Sequence, residues 1–581
     1  MKQKAFWISL ILGLELVLLG ALLGVILPDN PHAARASSPV EADEPVTITY
    51  WHTVGGEREA YLNLLIDEFN AANPYNITVV GEYIGNYYDL HALVIDAVQN
   101  GEFLPNVVTT YANMLADFGR YEALRFLDDY FNDPTTGIMD AEDIYPAVLE
   151  NYRLKEYGNQ LAGLPMARSI EVMYYNADLL AAAGLDIPLT WEEFETACIS
   201  LTTDTVYGSV FGIDASRFAN WLWSQGGELL SEDWNSARFD EQAGIDSLAL
   251  FQGLIQDGYA RLHFDVYEEQ TAFGNGQAGF TFMSSMAIPY FREAMDNGVQ
   301  NAWGVTRMPA DEGKEVVDSY GMGQGILHHD ETSDRAAWLF IKWLAETEQT
   351  ARWSALTGYF PVRISAGEHI SMTEKLASDE QYAQAYSLLG LGRSEPAPRG
   401  YIPIREVITG AMTEIFVNET DVTTTLQTAA DSAELILAST GPETNIVYPS
   451  GGTLTYASPL GTSTVIEFPE EALAVTTTVS YVPLEDLPTD GLAFALLPNL
   501  TFSVPVTVTI HYLDEDILGM DEASLKLYNF DWATNSWVDA DPCAGYIRYP
   551  EDNILQALVC HFSDYALIDW PYQVFIPYTS K

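Results

Sequence analysis

Trp51, His52, Thr53, Gly55 and Gly56 stand together at the end of an alternating apolar run and combine the groups that a polar ligand needs. The tryptophan offers a flat apolar face, the histidine and threonine offer hydrogen-bonding atoms, and the glycines let backbone come close. A helix starting just after them would present unpaired N–H groups to a ligand oxygen. Marks of enzyme chemistry are weaker. The chain has no GxxxxGK[ST] loop, no HExxH and no GxSxG, so nucleotide hydrolysis, zinc proteolysis and serine-esterase chemistry lack their usual signatures. Glycoside hydrolysis needs only two carboxylates at a suitable separation, and among 82 acids any chosen pair carries no information. His328 and His329 are adjacent, so on a strand they would point to opposite faces. Asp514, Asp516 and Asp521 resemble a loose calcium loop but lack the glycine and final glutamate of an EF-hand at their spacing, and read as a solvated turn. No metal and no cofactor are implied.

The elements that must position these residues are legible on either side. Val46, Ile48 and Tyr50 alternate with Thr47, Thr49 and Trp51, the period of a half-buried strand. Leu62, Leu65, Ile66 and Phe69 then recur at helical spacing, giving one apolar stripe to pack on a sheet. The residues between occupy the carboxyl end of a strand, where an open α/β sheet keeps its ligands. Ile77 to Gly81 and Pro105 to Tyr111 read as further strands, with a helix carrying Leu90, Val94 and Val98 between them, which predicts a parallel sheet with crossovers. Thr190 followed by Glu193 fits a capping box opening a helix. After Gly441-Pro442 short strands such as Thr464 to Phe468 and Val506 to Ile510 alternate with Pro, Gly and Asp turns, which predicts an all-β sandwich over 445–581.

A chain of 581 residues is too long for one core, and two or three domains are expected. A content of 48% hydrophobic and 12% aromatic residues is that of a folded protein. Lysine and arginine number 26 against 82 acids, a net charge of −56. That balance excludes ordinary nucleic-acid binding, which depends on neutralising phosphates, and weakens attraction to anionic membranes. Lys2 and Lys4, the apolar run from Ala5 to Leu27 broken only by Glu15, and Ala34-Arg35-Ala36 are the parts of a signal peptide over 1–36, cleaved after Ala36. The run is also long enough to stay as a membrane anchor. Either way the folded part is exported, to a periplasm or the cell surface. Cys543 and Cys560 lie in one β-rich region and are expected to pair in that oxidising compartment, with two unpaired thiols as the alternative, while Cys198 stands alone in a helix.

WHTVGGE, DEFN and YIGNYYDL resemble the opening segments of the extracellular solute-binding proteins of ABC importers (family 1), nearer to the sugar and glycerol-3-phosphate branch than to amino-acid or metal binders. The resemblance runs from about Val46 to about Leu437. It implies a bilobal periplasmic-binding-protein fold over 46–440, two α/β lobes joined by a hinge. Lobe 1 would take about 46–160 and 305–365, and lobe 2 about 161–304 and 366–440. Gly163 to Asn176 resembles the strand that crosses between lobes. Thr271 to Phe282 resembles the family's short helix, Gly-rich turn and strand ending beside the ligand at Ser284-Ser285, with return to the first lobe near Trp303-Gly304-Val305. The segments GGTLTY, VIEFPEEAL, VTVTIHYLDED and HFSDYALI resemble ZU5-like β-domains of surface proteins, implying a spacer, partner-binding or wall-associated module.

Their place at the strand end offers Trp51, His52 and Thr53 to the ligand, and the resemblance adds Tyr87, Tyr111, Ser169, Trp221, Trp223, Ser285, Gly323, Tyr359 and Arg399, with Trp221 and Trp223 as an aromatic wall. Two departures weigh against a phosphate. Ala112 follows Tyr111 where the glycerol-3-phosphate branch has an acid, and Arg399 matches its late arginine only across a two-residue gap. Arg399 and Arg168 are the cations a phosphate would use. The expected role is therefore the non-enzymatic substrate-binding component of an ABC import system, capturing a sugar or oligosaccharide and delivering it to a membrane permease. A glycerol-3-phosphate or glycerophosphodiester binder comes second. A cell-surface adhesin attached through the β-domain and an extracellular glycosidase are the rivals.

Overall fold

The structure, a computed structural model, describes residues 45–100, 103–264, 266–438 and, with short breaks, 443–568. The N-terminal targeting segment, Asp516 and Cys543 lie outside the described residues. Among the described residues no helix is long and apolar enough to cross a membrane.

Strand Val46–His52 lies one strand in from the edge of the first sheet. It pairs in parallel with Ile77–Tyr83 on one side and with Val107–Thr110 on the other. Helix Glu57–Ala72 covers the sheet with the expected stripe, burying Leu62, Leu65, Ile66 and Phe69. Gly56 enters that helix at φ 65°, a left-handed conformation that costs glycine little. Gly323–Leu327 adds an antiparallel strand beside Val107–Thr110, and Gly163–Pro165 pairs with it.

A second sheet is built around Ser169–Asn176, which pairs antiparallel with Ala278–Ser284, Trp303–Thr306 and Val317–Tyr320. Both faces of this strand are buried: Ile170, Val172 and Tyr174 enter one core and Met173 the other. The Thr190 and Glu193 capping box is formed. Trp303–Thr306 stays in the second sheet, so the chain returns to the first one later than the sequence suggests, between Tyr320 and Gly323. The reason is pairing. Trp303 to Thr306 match the edge offered by Asn176 to Met173 residue for residue.

The chain passes between the sheets at 165–169 and 320–323, and again near Phe360, whose backbone exchanges two hydrogen bonds with Arg168 (2.9 and 2.6 Å). Arg168 holds these passages together. Only 1% exposed, its guanidinium donates to the Ser319 carbonyl (2.7 Å), to Ser319 Oγ and to Ser394 Oγ (2.6 Å).

Helices Tyr401–Val417 and Val422–Ala438 complete the second core. Beyond them, a six-stranded and a five-stranded antiparallel sheet enclose one apolar core, with Val479, Phe494 and Leu527 from the first and Ile466, Val508 and Val559 from the second. Cys560 is disulfide-bonded and Cys198 is a buried free thiol.

Candidate functional site

A cavity of about 270 Å³ lies where the two α/β sheets meet. Several separate stretches deliver its walls. From the first sheet come Tyr87 and Tyr88, at the start of helix Tyr87–Asn100, and Tyr111 to Asn113, at the end of strand Val107–Thr110. From the second come Asp214 and Ser216, at the start of helix Ala215–Ser224, with Ser319 and Tyr320 at the end of a strand. Glu395, Tyr401 and Arg405 close it from the segment that runs past both. Strand ends and helix starts converge there because a chain leaving a sheet edge has no ladder partner and turns outward.

The first-sheet wall is aromatic. The Tyr87 and Tyr111 rings lie 4.2 Å apart at 34°. Burial pushes both phenols well above their ordinary value, with Tyr111 and Tyr359 adding to it at Tyr87, and Tyr359 and Tyr88 at Tyr111, so both stay neutral donors and acceptors. Tyr152 donates to the Gly321 carbonyl (3.1 Å) beneath them.

The opposite wall is polar and mostly acidic. Glu395 pairs with the Arg405 guanidinium and accepts from Ser216 Oγ (2.7 Å) and the Tyr401 hydroxyl (2.7 Å). Burial alone would raise the Glu395 pKa, but Arg405 and these donors outweigh it and hold the carboxylate below its ordinary value. Asp214 stands 4.0 Å from Arg405. Just behind, burial pushes Asp318 well up, next to Glu395, so it keeps its proton. Arg405 is thus already matched by Glu395 and faced by a second acid.

The expected ligand residues divide. Tyr87 and Tyr111 line the cavity, and Thr53 stands close to Tyr87. Tyr359 is half-buried beside them, with the Arg58 guanidinium 5.6 Å from its ring centre. Ser169 donates to the Tyr320 carbonyl (3.3 Å), and Ser285 accepts from the Ile170 N–H (3.1 Å), so both tie the crossing strand rather than line the cavity. Gly323 is in the first sheet, where a Cβ would sit 2.3 Å from the Tyr152 ring. Trp51 and His52 point into the first core, 8% and 1% exposed.

Trp221 and Trp223 require a correction, since neither forms a cavity wall. Trp221 is fully buried and stacked on Phe251 at 3.8 Å, in the apolar heart of the second core. Trp223 lies under the Arg393 guanidinium at 4.4 Å. A helix that buries every residue from Ala215 to Ser224 gives its tryptophans to packing. Arg399 is bound on the rim by Glu156, through its Nε (2.5 Å) and its N–H (2.9 Å). Arg168 lies in the hinge, bonded to Ser319 and Ser394, with its Nη1 buried and without a hydrogen-bond partner among the described residues. Glu156 and its neighbour Lys155 both reach across: Lys155 donates to the Glu232 carbonyl (2.6 Å) and covers the Trp234 ring at 4.5 Å.

Tyr88, Asp214, Ser216, Glu395, Tyr401 and Arg405 were not foreseen. Only Asp214 carried a local signal, as a helix N-cap accepting from the Ser216 N–H (2.8 Å). The two histidines serve separate bonds, His328 with Asp334 (2.6 Å) and His329 with the Pro105 carbonyl (3.2 Å). Asp514 accepts from Asn553 (2.9 Å), and Asp521 caps a short turn.

Comparison with known proteins agrees with this geometry. The profile of the bacterial extracellular solute-binding protein family matches residues 65–384. The sn-glycerol-3-phosphate-binding periplasmic protein UgpB of Escherichia coli is 26% identical over 344 residues, 56% of this chain and 76% of UgpB. Two solved structures share the fold. One is the cyclic α-maltosyl-1,6-maltose binding protein of Arthrobacter globiformis (TM-score 0.59, 20% identity, 68% of this chain and 99% of that one). The other is UgpB of Mycobacterium tuberculosis in complex with glycerophosphocholine (TM-score 0.58, 23% identity, 68% and 98%). With two α/β sheets joined by repeated crossings, a cavity at their junction and a profile match over more than half its length, the chain belongs to the bacterial extracellular solute-binding proteins, the substrate-capturing components of ABC importers.

Proposed function

We propose that the cavity between the lobes captures a neutral carbohydrate, a sugar or short oligosaccharide, for delivery to a membrane permease. The observation that carries this reading is the pairing of two closely packed tyrosine rings on one wall with Glu395, Asp214 and Ser216 on the other. Rings stack on the C–H face of a pyranose, while carboxylates accept from its hydroxyls. A phosphate fits the same walls poorly. It would meet Asp214 and Glu395, while Arg405 and Arg399 are paired with acids and Arg168 is not part of the cavity lining. Helix Glu57–Ala72 carries Glu57 and Glu59 in its first turn, so its positive end is met by its own acids. A glycerol phosphate or glycerophosphodiester is therefore the second reading, favoured by the relatives that bind such ligands.

In this account 46–440 forms the two lobes, the tyrosines and acids act in binding and not in bond cleavage, and the protein works outside the cytoplasm, released or held by its N-terminal segment. The C-terminal β-rich region resembles ZU5-like modules. A thermal-shift screen of the purified protein tests the reading. Neutral mono- and oligosaccharides are expected to raise the midpoint, since a ligand at 100 times Kd adds about 2.7 kcal/mol, while sn-glycerol-3-phosphate leaves it unchanged. The reverse pattern replaces the ligand class, and release of reducing sugar replaces the binding role with a glycosidase.

A further inference from the structure

The C-terminal sandwich touches both lobes, through the two helices that begin at the cavity. Strand Ala493–Leu497 is apolar on both faces: Phe494 and Leu496 enter the sandwich core, whereas Ala495 and Leu497 join the core of the second lobe. The adjacent strand Thr477–Pro483 repeats this, with Val479 and Tyr481 turned inward and Val482 toward the lobe. These residues pack in the same cluster as helix Tyr401–Val417, whose first turns supply Tyr401 and Arg405 to the cavity. At the edge of the same sheet, strand Glu443–Val447 runs against helix Tyr87–Asn100 of the first lobe, whose first residues, Tyr87 and Tyr88, line the opposite wall.

We infer that the sandwich is a clamp on lobe motion: one sheet, buried on both faces, holds one cavity helix from each lobe and so sets the distance between the walls. A sheet is stiff across its hydrogen-bonded strands, and Glu443–Val447, Thr477–Pro483 and Ala493–Leu497 are consecutive neighbours in it. Opening the cleft about the hinge must then either peel the strand from helix Tyr87–Asn100 or slide the sheet over helix Tyr401–Val417. A packed interface resists both, so the clamp biases the free protein toward the observed spacing. The family match ends at residue 384, before the sandwich begins, so this device is an addition to the two-lobe plan.

The test needs no ligand, so its failure is separable from failure of the carbohydrate reading. Nitroxide labels on Asp129→Cys in the first lobe and Gln256→Cys in the second, both exposed positions, report the lobe separation by pulsed electron resonance. In the full-length protein the clamp predicts one narrow distance distribution. Adding Val482→Ser and Leu497→Ser, which weaken the face toward helix Tyr401–Val417, is expected to bring in a longer-distance population. If that pair of substitutions disturbs folding by circular dichroism, Leu497→Ala alone decides, with the same expected gain. A distribution identical to the parent's in the folded variant overturns the clamp.

Discussion

His52 sits where a ligand contact was expected, yet it is 1% exposed, packed between the rings of Tyr50 and Tyr83 at 5.5 and 6.2 Å. Burial depresses its pKa from 6.5 to about 4, because the charged imidazolium is poorly solvated there. The folded state therefore binds this proton only below about pH 4, whereas the unfolded chain binds it below 6.5. Between these values the unfolded state holds more protons, so stability rises with pH in that window and is flat on either side. A difference of 2.5 pH units at about 1.36 kcal/mol each amounts to about 3 kcal/mol, complete above pH 6.5 and lost by pH 4. Other groups titrate over the same range, and burial raises Glu171 to about 7, which opposes the trend. The comparison that isolates His52 is thus wild type against His52→Gln, which retains a polar side chain without a titration. Urea denaturation at pH 7, 6, 5 and 4 is expected to show the stability difference between the two proteins shifting by about 3 kcal/mol in favour of the variant as pH falls. A difference that stays constant with pH would place His52 in water and refute its burial.

Three further substitutions separate packing from binding. Trp221→Ala removes a ring stacked on Phe251 inside the second core and should cost about 3–5 kcal/mol in urea denaturation, with sugar affinity retained wherever the protein stays folded. Tyr111→Ala removes one of the two rings of the aromatic wall and should weaken sugar binding by about tenfold or more in calorimetry. Glu395→Gln removes the acid paired with Arg405, leaving Asp214 at 4.0 Å as its remaining acidic neighbour in the cavity, and should bring sn-glycerol-3-phosphate binding, undetected with the wild type, into the range of calorimetry.

What the sequence disclosed follows from the range of each interaction. The alternation over Val46 to Trp51 and the stripe Leu62, Leu65, Ile66 and Phe69 are local patterns, and the structure buries that stripe as read. The box of Thr190 and Glu193 spans a single turn and is formed. Tyr87 and Tyr111 were found by resemblance to a family whose cleft they match, and they come together over the cavity. Trp221 was not distinguishable in this way, because a large ring serves a core as readily as a sugar, and burial of the whole helix Ala215–Ser224 decides the matter. Asp214, Glu395 and Arg405 are far apart in sequence and meet only once the hinge is folded, so no local spacing announces them. The strand Ala493–Leu497 had a signal that went unread. Its unbroken apolar run marks a strand covered on both faces, and its second cover is the lobe.

Isothermal titration of maltotriose and of sn-glycerol-3-phosphate into the wild type and into a Tyr87→Ala, Tyr111→Ala double variant tests the central claim most directly. The account predicts heat of binding for the sugar with the wild type, its loss in the double variant with the fold intact, and no heat for the phosphate. Sugar binding undiminished in the double variant, or binding of the phosphate alone, would contradict it.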